Sequence, residues 1–265
     1  MKRVMSIAAV AALFAGAAAA NPVFLATSGS TLFRASSGGG VATFALSDDL
    51  VSMFRMPNGE IWGVSATTSV NGTYEIYRLD GALSAAPSLT LLHDGFQATY
   101  PGMTYANGFL YGFADGSQHL DRIDPGTFAV SSVGPTGTIS NGAAAHDAAT
   151  DTFYGMSSNT NALYTIDYAL SGGPTPAGTL VGALGFDFQN HDADFVGGIL
   201  YTAVQRNDNG AFEVGTISTI DGSYSFLMTL ENLYTPGVVG MVVVPTPSTI
   251  ASIALAGLLV ARRRR

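Results

Sequence analysis

The sequence of 265 residues contains no cysteine and little charge, since Asp, Glu, Lys and Arg make up only 11% of it. The absence of cysteine excludes disulfides and thiolate metal sites. It also argues against a lipid-anchored binding module, which would need a cysteine for the lipid. Soluble proteins usually carry about 25% charged residues, so a charged helical protein is not expected. Aromatic residues make up 10% of the chain, enough for a packed core rather than a disordered chain.

Six of the eleven positively charged residues lie at the two ends of the chain. Lys2 is the only lysine, and residues 21 to 247 hold five arginines against all 19 acidic residues, which leaves a formal charge of −14. Such an acidic surface repels phosphate backbones, so we expect no binding to DNA or RNA. It suits solubility or the binding of cations.

The N-terminus has the pattern of a secretory signal peptide over residues 1–20. A basic start is followed by an apolar run from Val4 to Ala15 and by a small-residue region. Ala18 and Ala20 occupy the small positions that precede cleavage, so we predict that the mature chain begins at Asn21. Signal peptidase is the expected partner at this step.

The C-terminus combines two prolines, an apolar run and a cluster of arginines. Pro245 and Pro247 precede the apolar residues Thr249 to Ala261, and Arg262, Arg263, Arg264 and Arg265 end the chain. Thirteen helical residues rise about 19.5 Å, which spans the roughly 30 Å hydrocarbon core only marginally. The positive-inside bias places the arginines in the cytoplasm and the body of the chain outside.

This ending resembles the PEP-CTERM sorting signal of exported bacterial proteins, with Thr246 where that signal has Glu. The resemblance covers residues 245–265. It implies handling by an exosortase at the inner membrane, and release or attachment at the cell surface, often among extracellular polysaccharide. An ordinary C-terminal membrane anchor is the alternative.

A repeat of about 44 residues fills residues 21–244. Turn pairs such as Asn58-Gly59 and Asn107-Gly108 end three residues before an aromatic anchor, and a later strand closes on Asp. The pairs supply the positive φ values that tight hairpins need. The period fits a propeller blade of four strands. The anchors are Trp62, Tyr111, Tyr154 and Tyr201, and the closing residues are Asp80, Asp124, Asp167 and Asp221.

The two ends of the repeat region complete each other. Residues 22–36 have the later strands of a blade but no inner strand before them. Gly237 to Val243 has the pattern of an inner strand, but the later strands of a blade do not follow it. We therefore predict an all-β, five-bladed propeller whose last blade pairs strands from both chain ends and hides their edges. Outer strands are expected at Phe128 to Val133 and at Tyr224 to Leu230.

The stretch from Leu120 to Gly155 is similar to blade repeats of many exported bacterial propeller proteins, which carry Leu-Tyr-x-Ile-Asp and Val-Gly-x-Thr-Gly motifs. The resemblance implies architecture, because the families with these repeats mostly have no assigned activity.

Three His-Asp pairs are the candidate site residues: His93-Asp94, His146-Asp147 and His191-Asp192. They occupy different places in the repeat, so we do not expect all three to converge. The third pair is the best candidate, since it lies with Asp194 on an inner strand facing the central channel. Alternation puts the two acids on one face and His191 on the other. Such a carboxylate pair suits Ca²⁺; capping of a solvent-filled channel mouth is the alternative.

The remaining polar features favour structure over chemistry. The closing Asp of each blade is expected to accept hydrogen bonds in its turn. Residues 206–210 resemble a Ca²⁺ loop only faintly, since Gln205 and Thr216 would hold the first and twelfth ligand positions. The sequence has no nucleophile elbow, phosphate-binding loop or His-Glu-x-x-His motif.

These observations predict a monomeric, exported, non-enzymatic propeller that works at the cell surface or in the extracellular matrix and contacts polysaccharide. The rival is a propeller enzyme, a metal-assisted hydrolase or lyase, with its site at the channel mouth.

Overall fold

The protein is built from four-stranded antiparallel sheets. A computed structural model describes residues 21–115, 119–136, 142–168, 178–231 and 239–245, and in these residues it contains twenty strands and no helix. The strands are β1 (Val23–Ser28), β2 (Thr31–Ser36), β3 (Ala42–Ala45), β4 (Leu50–Arg55), β5 (Ile61–Ser65), β6 (Tyr74–Asp80), β7 (Ser88–Phe96), β8 (Met103–Ala106), β9 (Phe109–Ala114), β10 (His119–Ile123), β11 (Val130–Pro135), β12 (Ala144–Asp147), β13 (Thr152–Ser157), β14 (Ala162–Ile166), β15 (Gly178–Ala183), β16 (Phe188–Val196), β17 (Ile199–Arg206), β18 (Phe212–Ile217), β19 (Tyr224–Glu231) and β20 (Val239–Val244).

Five sheets form the predicted five blades. Blades 1 to 4 are the consecutive meanders β4 to β7, β8 to β11, β12 to β15 and β16 to β19, and blade 5 has the order β20-β1-β2-β3. In blade 5, Phe24 pairs with Val243 and Ser28 with Val239. The prediction that the two chain ends share one blade is confirmed.

The first strand of each blade is the inner strand. Inner strands contact one another in the order β16, β20, β4, β8, β12 and back to β16, which closes a ring. They are mostly buried, as in β4 and β20, whereas the fourth strands are largely exposed, as in β7 and β15. In blades 1 to 4 the pairing of the fourth strand with the third strand contains a register shift; these fourth strands are β7, β11, β15 and β19. Such irregular edge strands are poor templates for the addition of a further strand.

The core lies between blades. Each of five apolar clusters joins side chains of two neighbouring blades. The aromatic anchors take part, since Tyr201 packs on Phe24 at 5.5 Å between ring centroids and Tyr111 packs on Phe153 at 5.9 Å. The anchors are therefore core residues that hold each blade against the next.

The hairpin turns carry the expected backbone. Asn107 and Gly108 have φ values of 47° and 90°, and Gly197 and Gly198 have 59° and 84°. We call the side of the ring that holds these turns the mouth face. Every turn between an inner strand and its second strand lies there, because all inner strands run in the same direction.

One closing strand differs from the prediction. In blade 4 the strand β18 ends at Ile217, and Ser218 takes the place that Asp124 has in blade 2: Ser218 N donates to Ser223 O at 2.9 Å, as Asp124 N donates to Ala129 O at 3.1 Å. Asp221 lies within the turn instead. Ile220 is apolar and directly precedes Asp221, as an apolar strand residue precedes Asp in the other blades, but the Ile220 side chain is 90% exposed.

The predicted turn bonds of the closing Asp residues occur in two cases and not in a third. Asp124 Oδ1 accepts from the N–H groups of Gly126 and Thr127, and Asp221 Oδ1 accepts from Ser223 N. Asp80 instead accepts from the Arg78 guanidinium at 2.7 Å. The outer strand predicted at Tyr224 to Leu230 is observed as β19, whereas β11 starts at Val130, two residues later than predicted.

Both terminal signals lie outside the described residues. This holds for Ala18 and Ala20 of the signal peptide and for Thr246, Pro247 and Arg262 to Arg265 of the sorting signal, so these assignments stay predictions. In the part of the chain that the structure describes, no helix has the length and apolar character needed to cross a membrane.

Candidate functional site

The inner strand β16 places its acids and its histidine on opposite faces, as predicted. Asp192 and Asp194 reach blade 5, where they accept from Met241 N at 2.8 Å and Val243 N at 2.9 Å. His191 reaches blade 3, with Nε2 3.5 Å from the carbonyl oxygen of Met156. The acids therefore lie at the junction of blades 4 and 5, and the histidine at the junction of blades 3 and 4.

Asp192 joins three inner strands. Its side chain is fully buried, and Oδ2 accepts from Met53 N at 3.0 Å, Met241 N at 2.8 Å and Ser52 Oγ at 3.3 Å, while Oδ1 accepts from Ala193 N at 2.9 Å. Burial raises the pKa of Asp192, and the backbone N–H groups act in the opposite direction. The carboxyl connects blades 1, 4 and 5.

Asp194 lies two residues after Asp192 on β16, closer to the mouth face, and its side chain pairs with Arg55. Its Oδ1 is 3.7 Å from Arg55 Nη2, and Arg55 Nη1 donates to Val243 O at 3.1 Å. Burial raises the pKa of Asp194 to about 6, although Arg55 acts to lower it. The pair fixes one cation and one anion at the end of the channel.

His191 is buried and electrically neutral near pH 7. Its Nδ1 lies 2.7 Å from Gln189 O, so that nitrogen carries the proton, and Phe188 packs edge-on against the ring. Burial lowers the pKa of His191 to about 4 from an ordinary value of 6.5. Its role in this arrangement is to fill the junction between blades.

We predict that His191 makes the fold sensitive to acid. Between about pH 6.5 and pH 4 the unfolded chain binds a proton that the folded chain does not, so stability falls as the pH falls, by about 3 kcal/mol in total. Asp194 has the opposite sign, because its folded-state pKa is raised. Urea unfolding across this pH range should show a smaller acid loss for His191→Gln than for the wild type; equal losses would contradict the prediction.

A cavity of about 460 Å³ opens on the mouth face at the end of the channel. It combines the Arg55–Asp194 pair with polar and aromatic side chains from blades 1 to 4. The lining residues are Arg55, Thr104, Tyr105, His146, Asp147, Ala148, Ala149, Asp194, Phe195, Gly197 and Gly198.

Four lining positions share one place in the repeat. Each lies three residues before the turn pair of its own blade, and the turn chemistry therefore sets which side chains meet at the mouth. The four are Arg55, Thr104, Asp147 and Asp194. Asp194 was predicted from the sequence to face the channel, whereas the convergence of Asp147 with it was missed, although counting back three residues from the turns gives it.

A second hollow of about 400 Å³ lies beside the first, between blades 2 and 3. Its lining includes Asp151, whose Oδ1 is 3.0 Å from His146 Nε2 and accepts from Asn107 Nδ2 at 2.9 Å and from the Tyr168 hydroxyl. These bonds lower the pKa of Asp151, with the Tyr168 hydroxyl first among the causes. His146 thus links the two hollows.

The structure brings only some residues of the three His-Asp pairs to the mouth cavity. His146, Asp147 and Asp194 line the mouth cavity, whereas His191 and Asp192 are buried behind it. The pair His93-Asp94 lies apart on the outer strand β7. There the His93 ring stacks on Phe128 at 4.7 Å, and Asp94 accepts hydrogen bonds from neighbouring hydroxyl groups.

The proposed Ca²⁺ ligands Asp192 and Asp194 both use oxygens to bind backbone N–H groups. Among the described residues, no group of three or more His, Asp or Glu side chains is arranged to hold a metal ion. A Ca²⁺ site at these residues stays a prediction.

Many solved structures match this chain, and the three described below are at most 12% identical to it in sequence. A protein of unknown function from Bacteroides caccae has 8% identity and a TM-score of 0.50, over 86% of this chain and 100% of that one. A chain of a nidogen/laminin complex has 9% identity and a TM-score of 0.52, over 84% and 98%. An auxiliary nutrient binding protein from Bacteroides ovatus has 12% identity and a TM-score of 0.49, over 74% of this chain; the chain spans 54% of its length.

These likenesses concern the fold alone. No curated protein matches the sequence. One family model, described as a repeat of unknown function (DUF6923), matches residues 23–198, which take in β1 to β3 of blade 5, all of blades 1 to 3 and the inner strand of blade 4. Since that match covers well over half of the sequence, the chain belongs to the DUF6923 family.

Proposed function

We propose that this protein is an exported, non-enzymatic propeller of the cell surface or extracellular matrix that binds polysaccharide in the mouth cavity. The proposal includes removal of residues 1–20 by signal peptidase and sorting through Pro245, Thr246, Pro247 and the terminal arginines by an exosortase. The observation that carries the binding role is the cavity itself, where four blades bring charged, hydroxyl and aromatic groups to one opening.

The chemistry of the lining fits a sugar. Thr104 and Asp147 offer polar atoms next to the partly buried rings of Tyr105 and Phe195, and a few polar groups beside aromatic walls are typical of small-ligand sites. Phe195 is held in place by the Tyr154 ring, which stacks on it at 5.8 Å with an interplanar angle of 6°. A fixed aromatic surface costs little side-chain entropy when a ligand binds.

A glycan array probed with the purified chain tests this proposal. Tyr105→Ala should weaken binding by at least about tenfold, since it removes an aromatic wall of the cavity. The control is Phe226→Ala on the outer strand β19, whose ring is 56% exposed and far from the mouth, and which should bind like the wild type. Wild-type protein that binds no glycan, or equal losses in both variants, would contradict the proposal.

One observation favours the rival, a hydrolase or lyase at the same mouth. Asp151 orients the His146 imidazole, and an oriented imidazole beside a cavity can act as a general base. The two functions differ in outcome: an enzyme would release new reducing ends or unsaturated products from a bound glycan, and His146→Gln would abolish that release. A binding protein leaves the glycan intact.

A further inference from the structure

The mouth cavity and the second hollow are neighbours separated by a single turn. Residues 148–149 of that turn line the mouth cavity, and Asp151 and Thr152 line the hollow between blades 2 and 3. The bond between His146 and Asp151 joins the two walls at 3.0 Å. We call these two adjacent hollows together the groove; two hollows side by side suit an extended chain better than a single small molecule.

The groove is negatively charged along its length. Asp147 and Asp194 line the inner part, and Asp151 and Asp167 line the outer part. Arg55 is the only Lys or Arg among the lining residues, and its guanidinium is already held by Asp194 and Val243 O. Asp147 and Asp194 are partly buried, whereas Asp151 and Asp167 are exposed, so the attraction of a cation to the outer part of the groove is screened more strongly by salt.

Aromatic rings occur in both parts of the groove. Tyr105 and Phe195 line the inner part, and Tyr111 and Tyr168 line the outer part. Aromatic faces attract cations and also cover apolar faces of a ligand. Acidic groups beside aromatic rings therefore select a ligand that carries positive charge on a partly apolar frame.

We propose that the groove binds a saccharide chain bearing protonated amino groups, with one amino group near Asp194 and Asp147 and another near Asp151. This inference rests on the proposed polysaccharide binding and specifies its ligand class. The two acidic stretches follow one another along the groove, and a repeating amino sugar presents an ammonium group on each unit, so one chain supplies a cation to both stretches.

Calorimetric titration of the purified chain with a glucosamine hexamer, the N-acetylglucosamine hexamer and spermine tests the inference. The glucosamine hexamer should bind at least about tenfold more tightly than the acetylated one, and the difference should shrink as salt is added. Asp151→Asn should weaken binding of the glucosamine hexamer by about tenfold. The matched control is Asp208→Asn, an exposed turn residue paired with Arg206 on the opposite face, which should bind like the wild type.

Each other result has a defined meaning. Equal binding of both hexamers overturns the amino-group requirement and leaves the proposed polysaccharide binding intact. Spermine bound as tightly as the glucosamine hexamer overturns the assignment to a saccharide chain. Loss of binding in Asp208→Asn, or retention in Asp151→Asn with unchanged thermal unfolding, overturns the location. Failure of the wild type to bind either hexamer overturns the inference, and the glycan array then decides the broader proposal separately.

Discussion

Replacement of Asp192 by alanine is expected to destabilise the folded chain by about 4 kcal/mol, because it leaves Met53 N, Met241 N and Ser52 Oγ buried without their acceptor. These donors belong to two other blades, so the damage should concentrate at the closure of the ring. Asp192→Asn should cost less, since one oxygen can still accept.

Urea unfolding gives the stability change, and amide hydrogen exchange locates it. Exchange in β20 and β1 should accelerate in Asp192→Ala more than exchange in the blade 2 strands. Asp221→Ala is the control, since its carboxylate bonds only within its own exposed turn as far as the described contacts show, and should change stability by less than about 1 kcal/mol. A loss below about 1 kcal/mol in Asp192→Ala would show that the carboxyl does not hold the ring.

Gly102→Ala is expected to be at least as harmful, at about 4 kcal/mol or more. A Cβ at Gly102 would lie 1.9 Å from Gly142 O and 2.6 Å from the Cα of Ala143, which are backbone atoms that no rotamer change can remove. These residues lead into β8 and β12, so the inner strands of blades 2 and 3 would have to separate.

Gly40→Ala is the matched control for this substitution. A Cβ at Gly40 would meet no atom within 4 Å, so this change should be neutral or slightly stabilising, as it restricts the unfolded chain. Thermal unfolding of the two variants should therefore move in opposite directions or by very different amounts. Equal transitions would contradict the close approach of the two strands.

The fold was predictable because its signals are local. Turn pairs such as Asn107-Gly108 encode hairpins through backbone φ, and their spacing gives the blade period without any long-range information. The error at Asp221 has the same origin. Ile217 and Ile220 repeat the apolar spacing of other closing strands, and only the longer hairpin of blade 4 shows that Ile220 has already left the sheet.

The site was less predictable because it is assembled between blades. The channel position of Asp194 followed from strand alternation, but its contact with Arg55 depends on how blades 4 and 1 approach each other on either side of blade 5. The burial of Asp192 against three donors of blades 1 and 5 depends on the same packing. Counting back three residues from each turn would have found Asp147, since residues at the same place in the repeat lie at the same level along the channel.

The pairing of Val23 with Val244 places the first and last described strands side by side at the mouth face. A fluorescent protein or purification handle fused to either end of the ring would therefore project from the same face as the groove. The turn at Val70, whose side chain is fully exposed, points from the opposite side of the disc. Attachment to a sensor surface through that turn would leave the opening accessible, and a circular permutant opened there would carry both new ends away from it.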